Sequence, residues 1–144
     1  MPEVVWQPFH DLGRCIVVTL GGCAKSVILT NRNLAELAKA VKLDLVVLDG
    51  VTGMEGEGPL LGRTVRLGVA VASTDPLKAD GVGARLMGLS PEDIGYLLYL
   101  QRDGYGDYSL EGLIGERIED YSHKFKMHSR YEKQRKWQAA GEGI

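Results

Sequence analysis

Four apolar residues in a row, Leu45-Val46-Val47-Leu48, closed by Asp49-Gly50, anchor the reading of this chain. A run without alternation fits a strand buried on both faces. Ahead of it, Leu34, Leu37, Ala38 and Val41 recur at i, i+3, i+4 and i+7, one stripe of a helix. Asn33 with Glu36 three residues on reads as the capping box of that helix. Upstream, Cys15-Ile16-Val17-Val18-Thr19-Leu20 is a strand ended by Gly21-Gly22, and Val27-Ile28-Leu29 is a short apolar run of its own. Strand, helix and strand in this order predict a parallel βαβ unit.

Residues 50–64 carry Gly50, Gly53, Gly56, Gly58, Gly62 and Pro59, and read as a loop. A further strand runs from Val65 to Ala72, with Val65, Leu67, Val69 and Val71 on one face and Arg66, Gly68, Ala70 and Ala72 on the other. The small face invites a closely packed helix. Asp75-Pro76 starts the next helix, Asp as N-cap and Pro in the first helical position, and Ala79, Gly83 and Ala84 suit tight packing on the sheet. Ser90-Pro91 starts another, with Ile94, Leu97 and Leu98 as its core face and Gly104 as its stop. Leu113-Ile114 is a short last strand. The fold class is α/β: a mainly parallel or mixed sheet of about four to five strands with helices on both faces, as consecutive βα units demand. Residues 1–120 form a single domain. Residues 121–144 form a basic tail, read as a helix from Tyr121 to Trp137 that carries Lys124, Lys126, Arg130, Lys133, Arg135 and Lys136 against Glu132.

Chemistry concentrates in Asp49-Gly50-Val51-Thr52-Gly53-Met54-Glu55-Gly56-Glu57-Gly58-Pro59. A carboxylate at a strand end followed by glycines is where open α/β sheets place ligands. Asp49, Glu55 and Glu57 offer the hard oxygens that magnesium, manganese or calcium prefers. Gly53, Gly56 and Gly58 let main-chain N–H groups approach an anion. Ser73, Thr74 and Asp75 stand at a strand-to-helix junction, a second place for a small anionic ligand. Asp75 also has the plain task of capping. Asp80, facing the strand ends, would need a buried partner, with Arg85 the candidate. Lys25 could neutralise an anionic ligand or simply face water. The expectation is that these residues gather at one edge of the sheet.

Other motifs fail on their own terms. Gly56-x-Gly58-x-x-x-Gly62 lacks the helix that a dinucleotide fingerprint needs behind its glycines, and Ala24 precedes Lys25 where a phosphate loop needs glycine. Cys15 and Cys23 form no Cys-x-x-Cys, so the chain itself holds no iron–sulfur cluster or structural zinc, and two thiols fit a reducing, cytoplasmic setting. The formal net charge of −2 gives no overall nucleic-acid footprint. No apolar run approaches the ~18 residues of a membrane span, so no membrane partner is expected. No signal peptide is evident, since Pro2, Glu3, His10 and Asp11 interrupt the start.

Leu45-Val46-Val47-Leu48-Asp49-Gly50, Gly53-Met54-Glu55-Gly56-Glu57-Gly58-Pro59, Gly62, Leu67-Gly68-Val69, Ala72-Ser73-Thr74-Asp75-Pro76, Asp80 and Ala84-Arg85-Leu86-Met87-Gly88-Leu89 together resemble the domain of unknown function 362 family. The likeness runs on through Ile94-Gly95-Tyr96-Leu97 and Gly104-Tyr105-Gly106 and covers about residues 31–116, with 1–30 outside it. The family's activity is not established. Its members are often accompanied by ferredoxin-like iron–sulfur modules, so the resemblance implies a redox setting. It also implies that this chain corresponds to the C-terminal half of the family domain. A second copy or a partner subunit would then supply the missing half. Lys25-Ser26 stands where relatives carry a Lys-Asn pair.

Two functions follow. One is a ligand-binding domain or enzyme, with a divalent cation or a small anion held at the acidic glycine loop. The other is a non-catalytic accessory or interaction subunit of an iron–sulfur-associated system.

Overall fold

A computed structural model describes residues 27–58, 60–129 and 131–132. The elements run α1 (Val27–Ala40), β1 (Val46–Glu57), β2 (Leu61–Ser73), α2 (Pro76–Leu86), a 3-10 turn (Pro91–Asp93), α3 (Gly95–Arg102) and the short α4 (Ile118–Tyr121). The expected strand at Cys15–Leu20, the two cysteines and Lys25 lie outside the described residues.

The chain is α/β, but its sheet is not the expected one. β1 and β2 form a two-stranded antiparallel hairpin, with Val46 opposite Ser73 and Glu57 opposite Leu61. The glycine-rich stretch read as a loop is the distal half of β1, and the chain reverses between Glu57 and Leu61. Glycine costs a strand stability, yet the other residues at 51–57 accept extended backbone, and the partner strand supplies the ladder. The register shifts once. Between the pairs Gly50–Val69 and Thr52–Arg66, Val51 on β1 faces both Leu67 and Gly68 on β2. Gly68 has φ +73°, the left-handed conformation such a bulge requires.

The sheet carries one helix layer. Leu48 and Gly50 are buried while Val47, Asp49 and Val51 are exposed, a period of two. α2 packs on the buried face, where Gly83 leaves room for the Leu48 side chain: a Cβ at Gly83 would sit 2.8 Å from it. The small residues Ala70 and Ala72 lie on the exposed face, not under a helix as their size suggested.

The core proper lies among the helices. Ala35, Leu77, Ala84, Ile94, Leu97, Leu100 and Tyr108 form one buried cluster. α1 already spans Val27–Leu29, and Asn33 sits inside it, so the capping box does not mark its start. Its docked face keeps only part of the expected stripe: Ala38 packs on the core and Ala35 is buried, while Leu37 and Val41 are 40% and 44% exposed. Asn31 explains the rotation. Its Oδ1 accepts the Tyr96 N–H at 3.0 Å, and a Cβ on Gly95 would lie 2.6 Å from its side chain. Close approach of α1 to α3 selects the narrow face.

Two helix boundaries follow their local signals. Asp75 caps α2, accepting from the N–H groups of Leu77 at 2.8 Å and Lys78 at 3.3 Å. Gly104 ends α3 with φ +71°. Ser90-Pro91 opens only a 3-10 turn before α3, with Ile94, Leu97 and Leu100 buried. Leu113 and Ile114 form no strand, and Ile114 is 94% exposed. Residues 122–128 are not helical: His123 and Phe125 donate to the carbonyls of Leu86 and Met87 at 2.9 and 3.1 Å, leaving an extended strap. Beyond it only Tyr131 and Glu132 are described, and both are helical.

Candidate functional site

The acidic glycine segment is a socket for the strap. Gly56 N–H donates to the Lys126 carbonyl at 2.7 Å. A Cβ on Gly53 would lie 2.8 Å from the Phe125 ring, so only glycine admits that ring at this distance. Glu55 is buried, and its carboxylate accepts from Arg63 Nε at 2.9 Å and from the Lys126 N–H at 2.9 Å, with His123 Nε2 at 3.7 Å. The Lys126 N–H first, then Arg63, hold its carboxyl below the ordinary glutamate range, because each stabilises the charged form. Glu57 accepts from the Ser129 N–H at 2.8 Å and its hydroxyl at 3.3 Å, and His128 Nε2 stands 3.0 Å away. Glycine and glutamate thus serve one end: glycine gives the strap space, and glutamate satisfies its N–H groups.

The expected gathering at one sheet edge does not occur. Asp49 is exposed beside Ala70 and accepts the Val51 N–H at 2.9 Å. Six residues of strand, about 20 Å, separate it from Glu55. Ser73 pairs with Val46 at the hairpin base, roughly 36 Å from Glu57 along the strands. Ser73 Oγ accepts the Asp75 N–H at 3.0 Å, and Thr74 is exposed. Asp75 Oδ2 accepts the Asp107 N–H at 3.1 Å, tying the loop after α3 to the start of α2. A Cβ on Gly106 would lie 2.8 Å from Asp75, so the loop glycine is what lets that contact form. Gly58 lies against Met54, with 3.0 Å between a Cβ there and the sulfur.

Asp80 is turned away from all of these. Tyr96 Oη donates to its Oδ2 at 2.8 Å, and burial raises its carboxyl above the ordinary aspartate range. Arg85, its expected partner, instead donates to the carbonyls of Gly81 and Tyr108 at 3.0 and 2.8 Å. Burial likewise lifts the Tyr96 phenol well above its usual value. Among the described residues, no three of His, Cys, Asp and Glu stand together as a metal site. No helix among them is long and apolar enough to cross a membrane. A cavity of about 30 Å³ lies beneath the bulge, bounded by Thr52, Gly53, Met54, Leu67, Met87 and Phe125; that is room for water, not for a metabolite.

The strap, Asn31 and Tyr96 were not legible as site residues. The period-two placing of Gly53, Glu55 and Glu57 against Met54, Gly56 and Gly58 was the available signal, since it marks a strand with one acidic face.

A family model described as "Domain of unknown function (DUF362)" matches residues 9–85, more than half of the chain. That span begins upstream of the 31–116 stretch on which the resemblance was read and takes in Cys15–Leu20; it stops at Arg85. The thylakoid-associated protein sll1697 of Synechocystis sp. is 35% identical over 78 residues, 54% of this chain and 24% of that protein. The matched region therefore spans about a quarter of that relative's length. No solved structure matches.

Proposed function

This chain belongs to the domain of unknown function 362 family, and on that premise we propose that it is a non-catalytic interaction domain, docking on another subunit through the uncovered face of its hairpin. One observation carries the reading: Val47 and Val51 are 59% and 46% exposed on β1, and Ala70 and Ala72 lie exposed beside them on β2. An isolated two-stranded hairpin is marginal in water; here α2 packs on one face and the valine face is left exposed. Asp49 stands between the two valines on that face. A second copy packed face to face adds a second Asp49 carboxylate to the same interface, so the occupant argued for is a different chain that sets a Lys or Arg among small apolar groups. The resemblance makes an iron–sulfur subunit in a reducing, cytoplasm-type compartment the partner to try first.

The cation-binding reading of the acidic segment has the weaker support, because Glu55 and Glu57 are engaged by the strap. The tagged full chain, retained on resin in host extract, tests the proposal against its Val47→Lys/Val51→Lys variant. A stoichiometric partner held by the wild type and lost by the variant, at equal melting temperature, is the expected result. Identical capture by both sinks it. Light scattering on the isolated chain separates self-association from a different subunit.

A further inference from the structure

β2 has β1 on one side and, among the described residues, no strand on the other. Its outer edge is a row of backbone N–H and C=O groups without a strand to meet them. The two halves of that row differ. Toward the apex the bulge at Gly68 breaks its line, and Arg63 and Arg66 stand exposed on it. Both features discourage a further strand. Toward the base, Val69-Ala70-Val71-Ala72-Ser73 carries no charge and no proline, and its register with β1 is unbroken. A second observation bears on the same edge. Leu48 and Gly50 of β1 are buried under α2, whereas their cross-strand partners Val71 and Val69 are only half-buried. Cover thins from β1 to the outer side of β2, so apolar area at this edge still faces water.

We propose that β2 pairs, from Val69 to Ser73, with the same stretch of a second copy about a two-fold axis at Val71, joining two hairpins into one four-stranded antiparallel sheet. The stretch is self-complementary, as such an axis demands. Val71 meets its own twin, Val69 meets the twin of Ser73, and Ala70 meets the twin of Ala72. The valines complete one another's cover on the helix side. Small meets small on the other side, and no like charges face each other. An acidic or basic strand would find no counter-charge in these five residues, which sets the second copy ahead of it. The strands run β1, β2, then the twin β2 and the twin β1. The two Asp49 carboxylates, which stand against face-to-face packing, are here three strand spacings apart, about 14 Å or more. A two-fold contact uses up both β2 edges, so it closes as a dimer. The edge is a different surface from the valine face, and the dimer leaves that face open to another subunit.

Light scattering on the full chain over a concentration series, with amide exchange read alongside, tests it. The mass is expected to rise from one chain to two. Alternate amides within Val69–Ser73 should exchange more slowly as it does, with those of β1 unchanged. Ala70→Lys/Ala72→Lys sets lysine against lysine twice across the axis and is expected to weaken the dimer about ten-fold or more. Ala70→Lys/Ala72→Glu alters the same positions but sets lysine against glutamate, so its dimer is expected to be as tight as wild type or tighter. Val47→Lys/Val51→Lys is expected to leave the dimer intact, so failure here and failure of the valine-face proposal are read separately. A single chain at every concentration overturns the proposal. So does a dimer that the double lysine variant leaves intact, or one that both charge variants weaken alike. Edge amides equally protected at every dilution overturn it too, because the edge is then closed within one chain.

Discussion

Leu97 and Phe125 are both buried, yet they hold different parts of this molecule. Leu97 sits in a cluster drawn from α1, α2, α3 and the loop at Tyr108, where each apolar side chain has several others to lean on. Phe125 fills a slot made by the absence of a side chain at Gly53, on an arm whose remaining ties are polar. The helical layer is secured by shared volume, the distal hairpin by a short strap and a few directed bonds. Shared volume fails all at once when a piece is removed; directed bonds open locally.

The largest expected effect therefore belongs to the helices. Leu97→Ala should cost about 3 kcal/mol of global stability by denaturant titration. A cost under about 1 kcal/mol would erase the contrast. Phe125→Ala should lower global stability less, by about 1–2 kcal/mol. Its signature is local: faster amide exchange from Gly53 to Glu57, with α3 protection unchanged. Equal loss of protection in both regions would merge the two into one cooperative unit.

Acid sharpens the same comparison through opposite signs. The Glu55 carboxyl is held below its ordinary value, so its contribution is complete above the unfolded value of about 4.3 and is lost as pH falls through the lower folded value. The strap should become protease-sensitive in that acid window, and Glu55→Gln should already be sensitive at neutral pH. The Asp80 carboxyl is held above its ordinary value, so the folded chain binds that proton more firmly. Stability then falls as pH rises from the unfolded value of about 3.9 through the folded one. Asp80→Asn keeps an acceptor for Tyr96 and should flatten that limb, with stability at neutral pH equal or higher. Thermal melts across the acid range check both.

The smallest expected effect is at Asp49, exposed and bonded to its own turn. Asp49→Ala should move stability by less than about 0.5 kcal/mol. It should also leave the melting response to magnesium, manganese or calcium as in wild type. A cation-dependent stabilisation that this variant abolishes would restore the acidic segment as a ligand site.

What the sequence made plain was local. Asp75-Pro76 states its cap and Gly104 its stop within a turn of chain, and the strand at Val65–Ala72 shows its own alternation. What it hid was non-local. Glu55 is answered by Lys126, and Asn31 by Tyr96, across separations that no window spans. The glycines of 50–58 masked a strand because they carry no side chains to alternate, and their reason lies in Phe125 and Lys126 far downstream. Among the described residues the sheet has two strands where more were expected, because one helix between two apolar runs looks the same whether the next strand doubles back or continues a crossover. The expected gathering of the ligand residues at one sheet edge failed on their addresses, since an antiparallel return carries Ser73 away from Glu57.

The surplus residue at Gly68 makes the hairpin a crankshaft rather than a rod. Above and below it the two strands are out of step by one residue, and on the shared buried side α2 grips one half of the ribbon while the strap grips the other. Deleting Gly68 would straighten the crank and invert every position from Leu67 to the apex. Phe125 would then meet the wrong surface, even though every atom that touches it today would still be present in the chain.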